Sequence, residues 1–115
     1  MIHEVSIAES ILRIVENAAA ANKLKRVVRV VLEIGQYSGV VPDLLRFAFA
    51  AIKKGTILEQ AEIEIEVPPL LLYCLGCENE YLGELDDLCC PVCLKEQFKI
   101  IRGREMLVRS VEGEL

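Results

Sequence analysis

Two C-x-x-C pairs, Cys74-Leu75-Gly76-Cys77 and Cys90-Pro91-Val92-Cys93, carry the clearest chemical signal in this 115-residue chain. Two-residue spacing lets both thiolates of a knuckle point at one ion, and the Gly and Pro between them ease the tight turn. Twelve residues separate the pairs, so two knuckles can supply four sulfurs to a tetrahedral zinc ion. Four thiolates close the coordination shell, which makes such a zinc structural rather than catalytic. Iron in a rubredoxin-like site is the alternative that the same donor set allows. A pair of redox dithiols fits less well, because one knuckle alone would serve that purpose. The fifth cysteine, Cys89, lies outside the matched spacing and is expected to be a partly buried thiol without a ligand role.

The second place for chemistry is the start of the chain. His3 is the only histidine. A free amine on Met1, two deprotonated backbone amides and the His3 imidazole form a square-planar set of four nitrogens, which selects Ni(II) or Cu(II). Glu4 adds an oxygen donor if the coordination expands. Removal of Met1 is expected to be inefficient before the bulky Ile2, leaving the amine in place.

Composition narrows the function classes. With 13 basic and 18 acidic residues the net charge is −5, the wrong sign for a nucleic-acid surface. One histidine and no tryptophan leave little material for histidine-based acid–base catalysis. The hydrophobic fraction of 53 % argues for a folded chain. The longest uncharged run, Val67 to Cys77, contains Pro68 and Pro69 and falls well short of the roughly 20 residues of a membrane span. Charges at Glu4, Glu9, Arg13 and Glu16 interrupt any secretory signal. A cytoplasmic protein is expected, in which clustered cysteines bind metal rather than pair.

Elements that would position these residues follow from periodicity. Ser6-Ile7-Ala8-Glu9 reads as a capping box with Ser6 as N-cap. Ile7, Ile11, Leu12, Ile14, Val15, Ala18 and Ala19 then recur at helical spacing, predicting an amphipathic helix over residues 7–22. Arg26 to Ile34 is β-branched and reads as a strand with Val28, Val30, Leu32 and Ile34 on one face. A turn at Gly35–Gly39 precedes a second helix opened by Pro42-Asp43, with Leu44, Leu45, Ala48, Phe49 and Ile52 as its buried stripe. Ala61 to Val67 alternates, with Ile63, Ile65 and Val67 opposite Glu62, Glu64 and Glu66. Residues 104–111 alternate again, with Met106 and Val108 facing away from Leu107, Arg109 and Val111. That strand is too short to stand alone and is expected to rejoin the first sheet. The fold class is therefore α+β: a small mixed sheet with two helices, interrupted by an inserted zinc-ribbon module. Pro68-Pro69 and Gly103 mark the boundaries, giving an α/β domain of residues 1–69 plus 103–115 and a ribbon of 70–102. The ribbon holds Lys95, Lys99 and Arg102 against Glu78, Glu80, Glu84, Asp86, Asp87 and Glu96, so it would repel phosphates.

Taken together, the chain resembles the HypA/HybF family of nickel-incorporation proteins for [NiFe] hydrogenase. The resemblance rests on His3-Glu4-Val5-Ser6-Ile7-Ala8, Ile34-Gly35, Ser38-Gly39-Val40, Pro42 to Phe49, Gly55-Thr56 with Glu59 and Ala61, and both cysteine knuckles. It implies a nickel metallochaperone, not an enzyme, that passes Ni(II) to the hydrogenase large-subunit precursor together with the GTPase HypB; some relatives also serve urease. By position, His3 and Glu4 match the family's nickel-binding His-Glu, and Cys74, Cys77, Cys90 and Cys93 match its zinc ligands. In the family the His directly follows the initiator Met, whereas here Ile2 intervenes and lengthens the chelate by one residue. An Asp near the middle turn serves some relatives as a further ligand; Asp43 is the nearest candidate here. The partners implied exclude nucleic acid and membrane, and the expected state is a monomer or weak homodimer. The competing reading is a zinc-ribbon protein–protein adaptor in which His3 binds nothing.

Overall fold

The computed structural model describes residues 4–115; Met1, Ile2 and His3 lie outside the described residues. The element order is α1 (Glu4–Ala21), β1 (Arg26–Ile34), α2 (Pro42–Ile52), β2 (Glu62–Glu66), β3 (Leu70–Cys74), β4 (Glu80–Gly83), β5 (Phe98–Arg102) and β6 (Met106–Glu114).

Ser6 does not cap α1. It lies within the helix, which is already formed at Glu4, and its carbonyl accepts the Ser10 hydroxyl one turn later. An acid in the first turn suits the positive end of the helix dipole, so Glu4 takes the place expected outside the helix. Ala8, Ile11, Val15 and Ala19 form the buried stripe. The helix ends in a Schellman turn: Lys23 is left-handed (φ 57°), and Leu24 N–H bonds back to Ala19 O at 2.9 Å.

The strands form two three-stranded sheets, ordered β2-β1-β6 and β4-β3-β5. The first is mixed: β2 runs parallel to β1, and β6 runs antiparallel to it. The last strand thus rejoins the first sheet after the chain has made the second, giving a small mixed sheet with two helices and an inserted ribbon. Two bulges correct the expected faces. Val28 is an extra residue on β1 between the pairs Val27–Gly113 and Arg29–Glu112. Val27 is therefore buried and Val28 exposed, the reverse of simple alternation. Arg109 is the extra residue on β6, so Val108 and Val111 both pack on the core instead of facing apart.

The helices cover one face of the mixed sheet, where Ile11, Val15, Val30, Leu32, Ile34, Leu45 and Phe49 meet in one cluster. The other face is charged. Arg29 reaches Glu64 on β2 and Glu112 on β6, and Arg109 pairs with Glu66. On α2, Leu44 is exposed rather than buried, Phe47 is more exposed still, and Ile52 is only partly buried. Leu45, Ala48 and Phe49 are the fully buried residues of α2, and Ile52 packs beside them.

A second cluster lies in the ribbon: Leu70, Leu72, Cys74, Tyr81 and Cys90, flanked by Leu88, Phe98 and Ile100. The molecule is elongated, 53 × 28 × 18 Å. Among the described residues no helix is long and apolar enough to cross a membrane.

Candidate metal centre

Cys74 ends β3, Cys77 follows in the turn, and Cys90 and Cys93 lie in the turn that precedes β5. The two turns are built alike. Glu78 N–H bonds back to Cys74 O at 2.9 Å, and Leu94 N–H bonds back to Cys90 O at 2.8 Å. In each, the residue after the second cysteine is left-handed: Glu78 at φ 60° and Leu94 at φ 62°. Gly76 lies in the first turn, where a Cβ would touch the Gln97 Oε1 at 3.3 Å and make ordinary contact with the sulfurs of Cys74 and Cys93.

The four Sγ atoms all lie within 4.8 Å of one another. Cys74 and Cys93 are 3.5 Å apart, as are Cys77 and Cys90. Zinc–thiolate bonds of about 2.3 Å in a tetrahedron require sulfurs about 3.8 Å apart, so these residues fit the ion. Cys74 and Cys90 are buried and Cys77 and Cys93 half-buried, and four thiolates complete a tetrahedral shell.

Electrostatics divide the thiols into donors and acceptors. Cys77 N–H points at the Cys74 sulfur, and this amide is the main reason the Cys74 thiol is pulled down to about 6. The Cys93 amide chiefly lowers Cys90. Cys77 is pushed up to about 11, first by sharing a hydrogen with Cys90 and then with Cys74. Cys93 is pulled down by the Lys95 amide, yet its net shift is upward, because it shares a hydrogen with Cys74 and is desolvated. Each close pair thus holds one thiol shifted toward the thiolate beside one shifted toward the protonated form. A divalent cation held by Cys74, Cys77, Cys90 and Cys93 would take the place of these shared protons. Tyr81 closes the underside: its hydroxyl donates to Leu88 O at 2.6 Å, and burial, with the nearby thiolates, raises its pKa.

Cys89 is exposed, not partly buried as expected. Its neighbour Cys90 takes the interior position, and adjacent extended residues point to opposite sides.

Of the predicted nickel residues, Met1 and His3 lie outside the described residues. Glu4 sits in the first turn of α1, and its Oε2 accepts Val41 N–H at 3.4 Å, across 37 residues of sequence. Val41 is the N-cap of α2 and offers no side-chain cap of its own, so Glu4 supplies the acceptor that the helix start lacks. Asp43 is highly exposed and accepts from Arg46 at 2.8 Å. The Val41 amide carries no sequence signal, because backbone groups are common to every residue.

Gln36 was another residue without a signal. From the turn after β1, its Nε2 donates to Glu84 at 2.6 Å and to Pro68 O at 3.2 Å, and its Oε1 accepts Leu85 N–H at 3.0 Å. It thereby ties the mixed sheet to the ribbon.

Comparison with known proteins gives concordant results. Residues 2–113 match the family model described as HypA, hydrogenase/urease nickel incorporation, metallochaperone. The chain is 40 % identical over 113 residues to the hydrogenase maturation factor HypA of Aquifex aeolicus, covering 98 % of both chains. It is 37 % identical to the HypA of Wolinella succinogenes, covering 97 % of this chain and 95 % of that one. Among solved structures it is similar to the Ni metallochaperone HypA from Helicobacter pylori, with a TM-score of 0.67, 27 % identity and 98 % of each chain covered.

Proposed function

The chain belongs to the HypA family of hydrogenase/urease nickel-incorporation metallochaperones, and from that premise we propose that it carries Ni(II) at its own amino terminus. Met1 supplies the amine, His3 the imidazole, and Glu4 lies beside the site. Nickel is cargo, and the four-cysteine group, compatible with structural zinc, holds the ribbon together. The observation that carries this reading is the tie between Glu4 and the Val41 amide. It docks the residue next to His3 against the start of α2.

The working division is an α/β unit of residues 1–69 plus 103–115 that handles nickel, and a ribbon of 70–102 whose zinc ligands are Cys74, Cys77, Cys90 and Cys93. The protein catalyses nothing itself. It works in the cytoplasm as a monomer or weak homodimer, with a HypB-type GTPase and the hydrogenase large-subunit precursor as partners. Its acidic charge disfavours nucleic acid.

Calorimetric titration of Ni(II) into protein with a native amino terminus tests the reading. His3→Ala, and a tag fused ahead of Met1, are each expected to abolish tight binding while zinc content and melting stay nearly unchanged. Equal affinity in all three forms would place nickel elsewhere and leave the adaptor reading as the better account.

A further inference from the structure

β6 is an outer strand of the mixed sheet, so one side of its backbone has no neighbouring strand. With nine residues it is longer than the other outer strands, β2, β4 and β5. An unpaired edge of that length is a template for a further strand, and proteins commonly block such edges with Lys or Pro. β6 contains neither. Beside this edge lies a groove walled by α1. Near the start of β6, Ile7, Ser10 and Ile14 line a cavity of about 220 Å³ together with Met106. Near its end, Ala18 and Leu24 line one of about 540 Å³ together with Val111 and Gly113. Ile7, Ser10, Ile14 and Ala18 recur at three- and four-residue spacing and so form one stripe of the helix. The stripe carries no charge, and at its middle Ile14 is 51 % exposed.

We propose that a second copy of this chain fills the groove with its own β6, joining the two mixed sheets antiparallel across a two-fold axis. Backbone groups pair along the edge, as in strand addition generally, and the surface is self-complementary, as a two-fold interface requires. Charge order on the strand selects this occupant. Arg109 contacts Glu66 and Glu112 contacts Arg29, so Arg109 and Glu112 both point to the charged face. An axis between Ser110 and Val111, near the middle of β6, sets Arg109 of each copy opposite Glu112 of the other. Opposite charges across paired strands are favourable, and symmetry supplies this pair twice. On the helical face the same axis brings the two uncharged α1 stripes together around Ile14. The interface rests on the homodimer form of the preceding reading and is independent of nickel.

Sedimentation velocity tests it on zinc-loaded, full-length protein with a native amino terminus. Across a concentration series the wild type is expected to show a reversible monomer–dimer equilibrium. Ile14→Lys places two like charges beside the axis and is expected to weaken dimerisation about tenfold or more. Its Tm in dilute solution stays nearly unchanged, because the side chain is exposed. Arg109→Glu and Glu112→Arg each set like charges opposite one another and are expected to weaken the dimer. The double exchange restores opposite charges and is expected to recover affinity to within about threefold of wild type. Because both residues also pair within the chain, isotope-filtered NOEs in a mixture of labelled and unlabelled wild type supply a second measurement. Contacts from β6 of one copy to β6 of the other are expected. A protein that stays monomeric at every concentration overturns the interface and the homodimer together. A dimer without β6-to-β6 contacts, or one indifferent to Ile14→Lys and to the single charge reversals, overturns the interface alone. Nickel titration of the wild type reads the metallochaperone proposal separately, whichever of these is found.

Discussion

Gly35 and Gly103 pass backbone against backbone: a Cβ on Gly35 would lie 2.2 Å from the Gly103 carbonyl oxygen. That same oxygen accepts Tyr37 N–H at 2.7 Å, and Gly35 N–H donates to Glu105 O at 2.8 Å. The turn after β1 is therefore laced to the segment by which the chain leaves the ribbon and re-enters the mixed sheet. The contact is backbone on both sides, so no side-chain rotation can relieve an added methyl group.

Gly35→Ala is accordingly expected to destabilise the protein by about 2 kcal/mol or more, at the upper part of the range for overpacking. Chemical denaturation of the zinc-loaded protein measures it. A loss within 0.5 kcal/mol, the ordinary range of about ±0.5 kcal/mol for surface changes, would mean the two strands of backbone separate easily.

Gln36→Ala removes all three side-chain hydrogen bonds to Pro68, Glu84 and Leu85. These groups are partly solvated, so the expected stability change is about 1 kcal/mol. The larger effect is on orientation. Residual dipolar couplings that fit one alignment tensor in wild type are expected to need separate tensors for the mixed sheet and the ribbon in the variant. A single tensor in both would assign the orientation to the Gly35–Gly103 contact alone.

Removing zinc, or replacing Cys93 by Ala, is expected to disorder residues 70–102, because the ribbon cluster is small and metal binding supplies much of the folding free energy of such modules. The larger cluster under α1 and α2 stays folded. Amide hydrogen exchange distinguishes them: protection at Leu72 and Tyr81 is lost while protection at Val30 and Leu32 persists. Surviving ribbon protection in zinc-free protein would sink the prediction.

Glu4→Gln retains a side-chain oxygen for the Val41 amide, whereas Glu4→Ala does not. The alanine variant is expected to lose about 0.5–1 kcal/mol, the scale of a lost helix cap, and the glutamine variant less. If nickel sits in a square plane of four nitrogens, Glu4→Gln leaves its affinity nearly unchanged; a large loss identifies the carboxylate as a ligand. In either case affinity is expected to fall as pH drops through the imidazole range near roughly 6.5, since protons compete for the nitrogen that binds. Titrations at three pH values read both effects.

Local rules carried much of this protein. Spacing alone identified Cys74, Cys77, Cys90 and Cys93, because a knuckle is a property of four consecutive residues. The limits of β1 and α2 follow from β-branched content and from Pro42 for the same reason. Other features depended on partners distant in sequence. Val28 faces outward, and Val108 and Val111 share a face, because bulges arise from the pairing of β1 with β6, which no local pattern encodes. Leu44 reads as core by helical spacing, yet it is exposed, and Leu45, Ala48 and Phe49 are the buried residues of α2. The Glu4–Val41 and Gln36–Leu85 bonds each engage a backbone amide, a group every residue offers, so only the tertiary fold selects which one is met.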